Sequence, residues 1–364
     1  MSRWMELFDR WARAGSFTAV DVARFRIIYA VVAVLTLPDP TRMASFPDSV
    51  FNAPLGPFRL LGGFPPVEVL LILQWALACA IVLLGLGLFT SIASASVTVL
   101  LIIVNGVQFS SGKIDHSIIF VLAPVILMFT GWGSRSSLDA RLRSATAPTK
   151  TPQWPLRLFA LVIAIAFASA AIQKLLSGWL STASQATRGH FIRQFVANGR
   201  DEWLTPTFLQ FDSTLVWESL DWITVVFEFA FLIAVLNWRA WRIVISVACL
   251  FHLGVLLMMN IAFYPNVIAY GAFVTWSVIP YAAASESEFR RPKLSRLLLT
   301  FIALAVGTGA WLGVRYFGDF ESILGPAIVI CGAVLAVAYL IRVNTLVALQ
   351  LVRVGAVRAP TNQP

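Results

Sequence analysis

Apolar residues along this chain come in blocks of roughly twenty, separated by short polar or proline- and glycine-rich stretches. A helical block of that length matches the ~30 Å hydrocarbon core of a bilayer. No stretch alternates with the period of two that a membrane-facing β-strand requires, so helices carry the spans. The pattern predicts ten of them, at about 19–37, 66–89, 91–110, 115–132, 156–176, 217–236, 241–262, 265–281, 295–315 and 323–343. The expected fold class is all-α, a polytopic transmembrane helical bundle. Ahead of the first span, "MSRWMELFDRWARAG" puts Trp4, Leu7, Phe8 and Trp11 on one helical face, opposite Arg3, Arg10 and Arg13. That is the pattern of an interfacial amphipathic helix over residues 1–15, and it is too charged for the core of a cleavable signal peptide.

Two connections are long. Residues 38–65, "PDPTRMASFPDSVFNAPLGPFRLLGGFP", are rich in Pro, Gly and Phe, and residues 177–216 hold Trp179, Phe191, Phe195, Trp203, Phe208 and Phe211 among polar residues. Disordered segments are poor in aromatics, so both are expected to form a cap on the outer membrane surface.

Composition strengthens the membrane reading. The chain is 59% hydrophobic and 12% charged, with a mean hydropathy of +0.81, and a soluble domain carries about twice that charge fraction. A net charge of +9 would suggest a nucleic-acid partner in a soluble protein. Here the basic residues fall between apolar runs, and none of their stretches is interleaved with aromatics. Membrane lipid is therefore the expected partner, and nucleic acid is not. With the N-terminus inside, inner segments carry 17 Lys and Arg against 8 outside. That bias predicts ten spans with both termini cytoplasmic, in the plasma or inner membrane. Cys79, Cys249 and Cys331 lie inside apolar runs without a CxxC and read as small buried hydrophobes.

Ionisable residues inside spans cost about 2.5–3.5 kcal/mol at the centre, so each needs a reason. Asp115 and His116 open the fourth span, Gln173 and Lys174 close the fifth, Glu228 sits in the sixth and His252 in the seventh. On the predicted topology these residues fall in the outer half of the membrane, with Glu228 near the midplane, where they would line one cavity. Each also has a plainer reading. Lys174 is near enough to a helix end to snorkel, His116 caps a helix start, and His252 is a satisfied core histidine. Glu228 needs a partner or a proton.

The order of the motifs then matters. "RFRIIYAVVAVL", "DHSIIFVLAPVILMF", "SRSSLDARL", "FASAAIQKLLSGWL" and "FHLGVLLMMNIAFYPNVIAYG" follow one another. Over about residues 15–285 this resembles the HTTM membrane domain of the vitamin K-dependent γ-carboxylase family. The resemblance implies that Lys174 is the base that deprotonates a vitamin K or menaquinone-type hydroquinone, assisted by His116. It further implies O2 and CO2 as co-substrates. The oxidised quinol becomes a strong base, removes a proton from a peptide or small-carboxylate substrate, and the carbanion takes up CO2. Lysine serves as a base once apolar surroundings favour its neutral form. The chain departs from the family in three places. Asp115 stands where Asn is common, Gln173 where the animal enzymes have a second lysine, and nothing matches their large C-terminal luminal domain. The expected division is an amphipathic helix at 1–15, the HTTM-like core at 16–285, two further spans within 286–345 and a basic tail at 346–364.

Two other classes fit the same residues. One is a transporter or channel that uses the polar cluster as a relay, although no pair of interrupted helices marks it. The other is a haem or metal quinone oxidoreductase built on His116 and His252. No helix carries ligand spacing, so no metal is expected.

Overall fold

The computed structural model describes residues 3–54, 56–111, 117–143, 148–278, 295–317 and 320–357. Among them secondary structure is helical, apart from one isolated antiparallel bridge between Thr18 and Lys150. The helices are α1 (Arg3–Arg13), α2 (Ala19–Leu35), α3 (Val67–Leu86), α4 (Thr90–Gln108), α5 (Ile118–Leu127), α6 (Leu138–Leu142), α7 (Trp154–Leu176), α8 (Ala186–Asn198), α9 (Thr205–Phe208), α10 (Thr214–Ala234), α11 (Trp238–Met259), α12 (Tyr264–Tyr270), α13 (Arg296–Phe317) and α14 (Glu321–Val357).

Six of these are long and apolar enough to cross a bilayer: α3, α4, α7, α11, α13 and residues 321–345 of α14. The protein is an integral membrane protein on that ground. The other predicted spans take different forms. The helix α2 has 17 residues, and α5 has ten, continued by a 3-10 turn to Thr130. The helix α10 is long enough but carries Glu218, Asp221 and Glu228.

The interval 265–281 was expected as one continuous span, and its described part is not one. There α12 stops after seven residues and two 3-10 turns follow, Gly271–Phe273 and Trp276–Val278. Polar side chains of α2 take up the backbone groups freed there. Arg24 donates to the Trp276 carbonyl, and Asp21 accepts from the Ser277 amide at 2.7 Å. Backbone away from water needs such partners once it leaves the helix. At the other end α14 continues to Val357, so its backbone enters the interval read as a tail.

The chain divides into two compact units, residues 1–166 with 268–324, and residues 167–267 with 325–364. In the first, α13 packs along α3, and Gly307 makes this possible. A Cβ there would lie 2.8 Å from the Cys79 Cα. Pro124, inside α5, removes the amide that would have satisfied the Phe120 carbonyl. The Tyr29 hydroxyl donates to that carbonyl instead, at 3.0 Å. One residue on, the Thr98 hydroxyl donates to the Val121 carbonyl and accepts from the Val125 amide. Arg26 is fully buried, and its guanidinium donates to the carbonyls of Trp132 and Ser136. Asp139 of the "SRSSLDARL" motif accepts from the amides of Phe89 and Thr90, which open α4.

The 38–65 connection is held to this unit. Gln74 donates to the Pro38 carbonyl, the Asn52 amide to the Ser110 carbonyl and the Phe64 amide to Asp48. The amphipathic N-terminal helix also forms as α1, with Trp4 and Phe8 exposed and the Arg157 guanidinium over the Trp11 ring at 5.3 Å.

In the second unit, residues 177–216 fold into α8 and α9. Phe191 of α8 is buried against Trp217 of α10 and Met259 of α11. Asp221, fully buried on α10, accepts from the first two amides of α8, Ala186 at 3.0 Å and Thr187 at 2.7 Å. Gln185, just before the helix, makes no side-chain cap. A carboxylate from a neighbouring helix therefore supplies the N-terminal acceptor.

Candidate active site

The second unit brings two of the sequence-predicted residues together. Lys174 lies in the last turn of α7, after a small-residue run (Ala168, Ser169, Ala170, Ala171) of which Ala168 and Ala171 are buried. Its ammonium forms an ion pair and hydrogen bond with Glu228 Oε1 of α10. The two side chains are 19% and 8% exposed. Glu228 follows the start of α10 by fourteen residues, or ~21 Å of helix. The lysine ammonium is thus held on a carboxylate well inside α10.

The second carboxylate oxygen, Glu228 Oε2, is buried and has no hydrogen-bond partner among the described residues. The surroundings are aromatic. Phe167 of α7 stacks on Phe231 at 4.2 Å and 6°, and meets Phe227 edge-on at 6.0 Å. Phe227 stacks in turn on Phe251 of α11 at 4.9 Å.

On the other side the lysine ammonium lies 5.3 Å from the centroid of the Trp179 ring. Trp179 follows Gly178, whose φ of +75° turns the chain at the end of α7. A cation above an indole is held by the ring quadrupole. The same indole stacks with His190 of α8, with centroids 5.1 Å apart. Trp179 and His190 line a cleft of about 280 Å³ together with Ser177, Ser184, Gly189 and Arg193.

Of the remaining predicted residues, His252 shares part of this aromatic group. His252 is buried in an aromatic cage, 5.0 Å from Phe263, 5.8 Å from Phe251 and 6.4 Å from Phe167 between ring centroids. Gln173 is exposed beside Lys174. Asp115 and His116 lie outside the described residues. Among the described residues no three His, Cys, Asp or Glu side chains gather as a metal site.

The comparisons bear on which fold carries this pair. The family model for the HTTM domain matches residues 17–278. The chain belongs to the HTTM family. Comparison with curated proteins and with solved structures found no match. The matched HTTM segment includes both Lys174 and Glu228, together with the whole segment between α7 and α10.

Sequence reasoning missed four residues in and around this candidate site: Trp179, His190, Arg193 and Asp221. One signal was available for Asp221. It stands seven residues before Glu228 and three after Glu218, on one helical face. No local pattern marked His190 or Arg193, which sit on a helix of mixed polar and apolar residues.

Proposed function

We propose that this HTTM protein is a membrane enzyme in which Lys174 takes a proton from the hydroxyl of a lipid-soluble hydroquinone of the vitamin K or menaquinone type. The bound hydroquinone would supply, on oxidation by O2, the driving force for removing a proton from a carbon acid and adding CO2. The observation that carries the reading is the direction of the Lys174 side chain. A lysine serving only as an anchor extends to water. This one is bent onto a buried carboxylate and roofed by an indole.

The residues fit a flat aromatic diol. Phe167, Phe227 and Phe231 give apolar surroundings, and Glu228 Oε2 is a buried acceptor awaiting a donor. The pair also solves the problem of an ammonium acting as a base. Transfer of a proton from Nζ to Oε1 turns ion pair into amine and carboxylic acid with no change in net charge, which apolar surroundings favour. The amine lone pair then accepts a hydroxyl proton, Lys174 is again an ammonium, and Glu228 holds the extra proton. The aromatic wall keeps water from the Glu228 side of the pair. His116 is the proposed assistant to Lys174, and His252 with its cage shapes the apolar side. The proposed topology has ten membrane-crossing segments with both termini cytoplasmic, which puts α8 and α9 outside.

Oxygen uptake by purified protein given reduced vitamin K or menaquinol tests the reading. Arginine keeps the charge of Lys174 but cannot release its proton, with a pKa above about 12. Lys174→Arg should insert and fold normally and lose at least about 10³-fold of the hydroquinone-dependent rate. Wild-type uptake by this variant would make Lys174 an anchor and leave a fold without this chemistry.

A further inference from the structure

The cleft beside Trp179 has chemistry of its own. Its lining residues include one charged side chain, Arg193, and no carboxylate. Among the described residues Arg193 makes no ion pair, whereas Arg188, on the same helix, is paired with Asp212. His190 adds an imidazole one helical turn before Arg193, on the same side of α8. Gly189 leaves the floor open, since a Cβ there would meet nothing within 4 Å. The back wall is Trp179, the same indole that holds the Lys174 ammonium.

A guanidinium with no internal counter-charge, beside an imidazole, selects an anion, and its planar fork matches a carboxylate through two parallel hydrogen bonds. At about 280 Å³ the cleft is at the small end of ligand sites. It suits a small molecule or a single acidic side chain.

We propose that this cleft binds the carboxylate of the water-soluble reactant, through Arg193 and His190, against the indole that also contacts the Lys174 ammonium. The assignment rests on the proposed function only in making Lys174 the neighbouring base. Binding itself is measured without hydroquinone.

The experiment uses the full-length protein in lipid nanodiscs at low ionic strength, with glutarate as the probe and calorimetry as the readout. Glutarate should bind with a Kd on the order of 1 mM, as one exposed guanidinium allows. Its neutral diamide should not bind. Arg193→Gln should weaken glutarate at least tenfold, and Arg193→Lys by less, since it keeps charge but loses the fork. Gly189→Leu, which fills the floor without touching a charge, should also abolish binding. The assignment is overturned if wild-type protein does not bind glutarate, or if the diamide or inorganic phosphate binds as well as glutarate. An unchanged Kd in Arg193→Gln would overturn it too. Hydroquinone-dependent oxygen uptake without glutarate binding would sink the cleft and leave the base in place. Glutarate binding without such uptake would uphold the cleft and sink the hydroquinone reading.

Discussion

Replacing Asp221 by alanine should release α8, the helix that carries His190 and Arg193. The fully buried carboxylate accepts from two backbone amides that open α8, at 3.0 and 2.7 Å. Hydrogen bonds to an ionised acceptor contribute about 1.5–3 kcal/mol each. Ala186 and Thr187 are only half-buried, so water recovers part of the loss. A net cost of about 2–3 kcal/mol remains, at or above the upper end of about 2 kcal/mol for a removed single cap, because two amides lose their acceptor. That corresponds to roughly a 30- to 150-fold rise in the fraction of time α8 is undocked. Hydrogen exchange of the amides of 186–198 in nanodiscs, resolved by mass spectrometry, reads this directly. Exchange in α3 and α4, which belong to the other unit, should not change. Asp221→Asn retains one acceptor oxygen and should lose about half as much. If α8 in Asp221→Ala exchanges as in wild type, the carboxylate does not hold the helix and the local energetics argued here are wrong.

Removing the counter-charge of the lysine should expose it. In Glu228→Ala, Lys174 has no inward partner and should turn to water. Among the chain's four lysines, Lys113, Lys150, Lys174 and Lys293, peptide mapping should then find Lys174 alone acylated faster by an impermeant amine reagent. Unchanged reactivity would mean that the pair does not orient the amine. For topology, single cysteines in a cysteine-free background should differ in intact cells. Ser184→Cys should react with an impermeant thiol reagent and Arg143→Cys should not, and equal labelling would reject the proposed orientation. Gly307→Leu should force α13 off α3 at its close approach to Cys79, lowering stability by about 1–3 kcal/mol in detergent unfolding. A neutral result would show that this contact is loose.

The sequence by itself determined that the chain crosses a membrane as helices. Bilayer thickness converts directly into block length, and a run of twenty apolar residues has no other inexpensive fate. It also determined the amphipathic start, the HTTM membership through the order of motifs, and the fact that Glu228 needs a partner. The identity of that partner was not legible. Lys174 as an anchor and Lys174 as an inward-facing amine are the same local sequence, and the choice depends on a carboxylate 54 positions away, delivered by the packing of α10 on the end of α7. The break after α12 escaped for the same reason. The apolar run 265–281 reads as a span until Asp21 and Arg24 of α2 offer its backbone better bonds than a helix would. His190 and Arg193 became visible only once Asp221 had docked α8, because on their own helix they are two of six polar residues with no distinguishing pattern. Local chemistry sets which groups must be satisfied in lipid, and only the tertiary structure decides which of them satisfy one another.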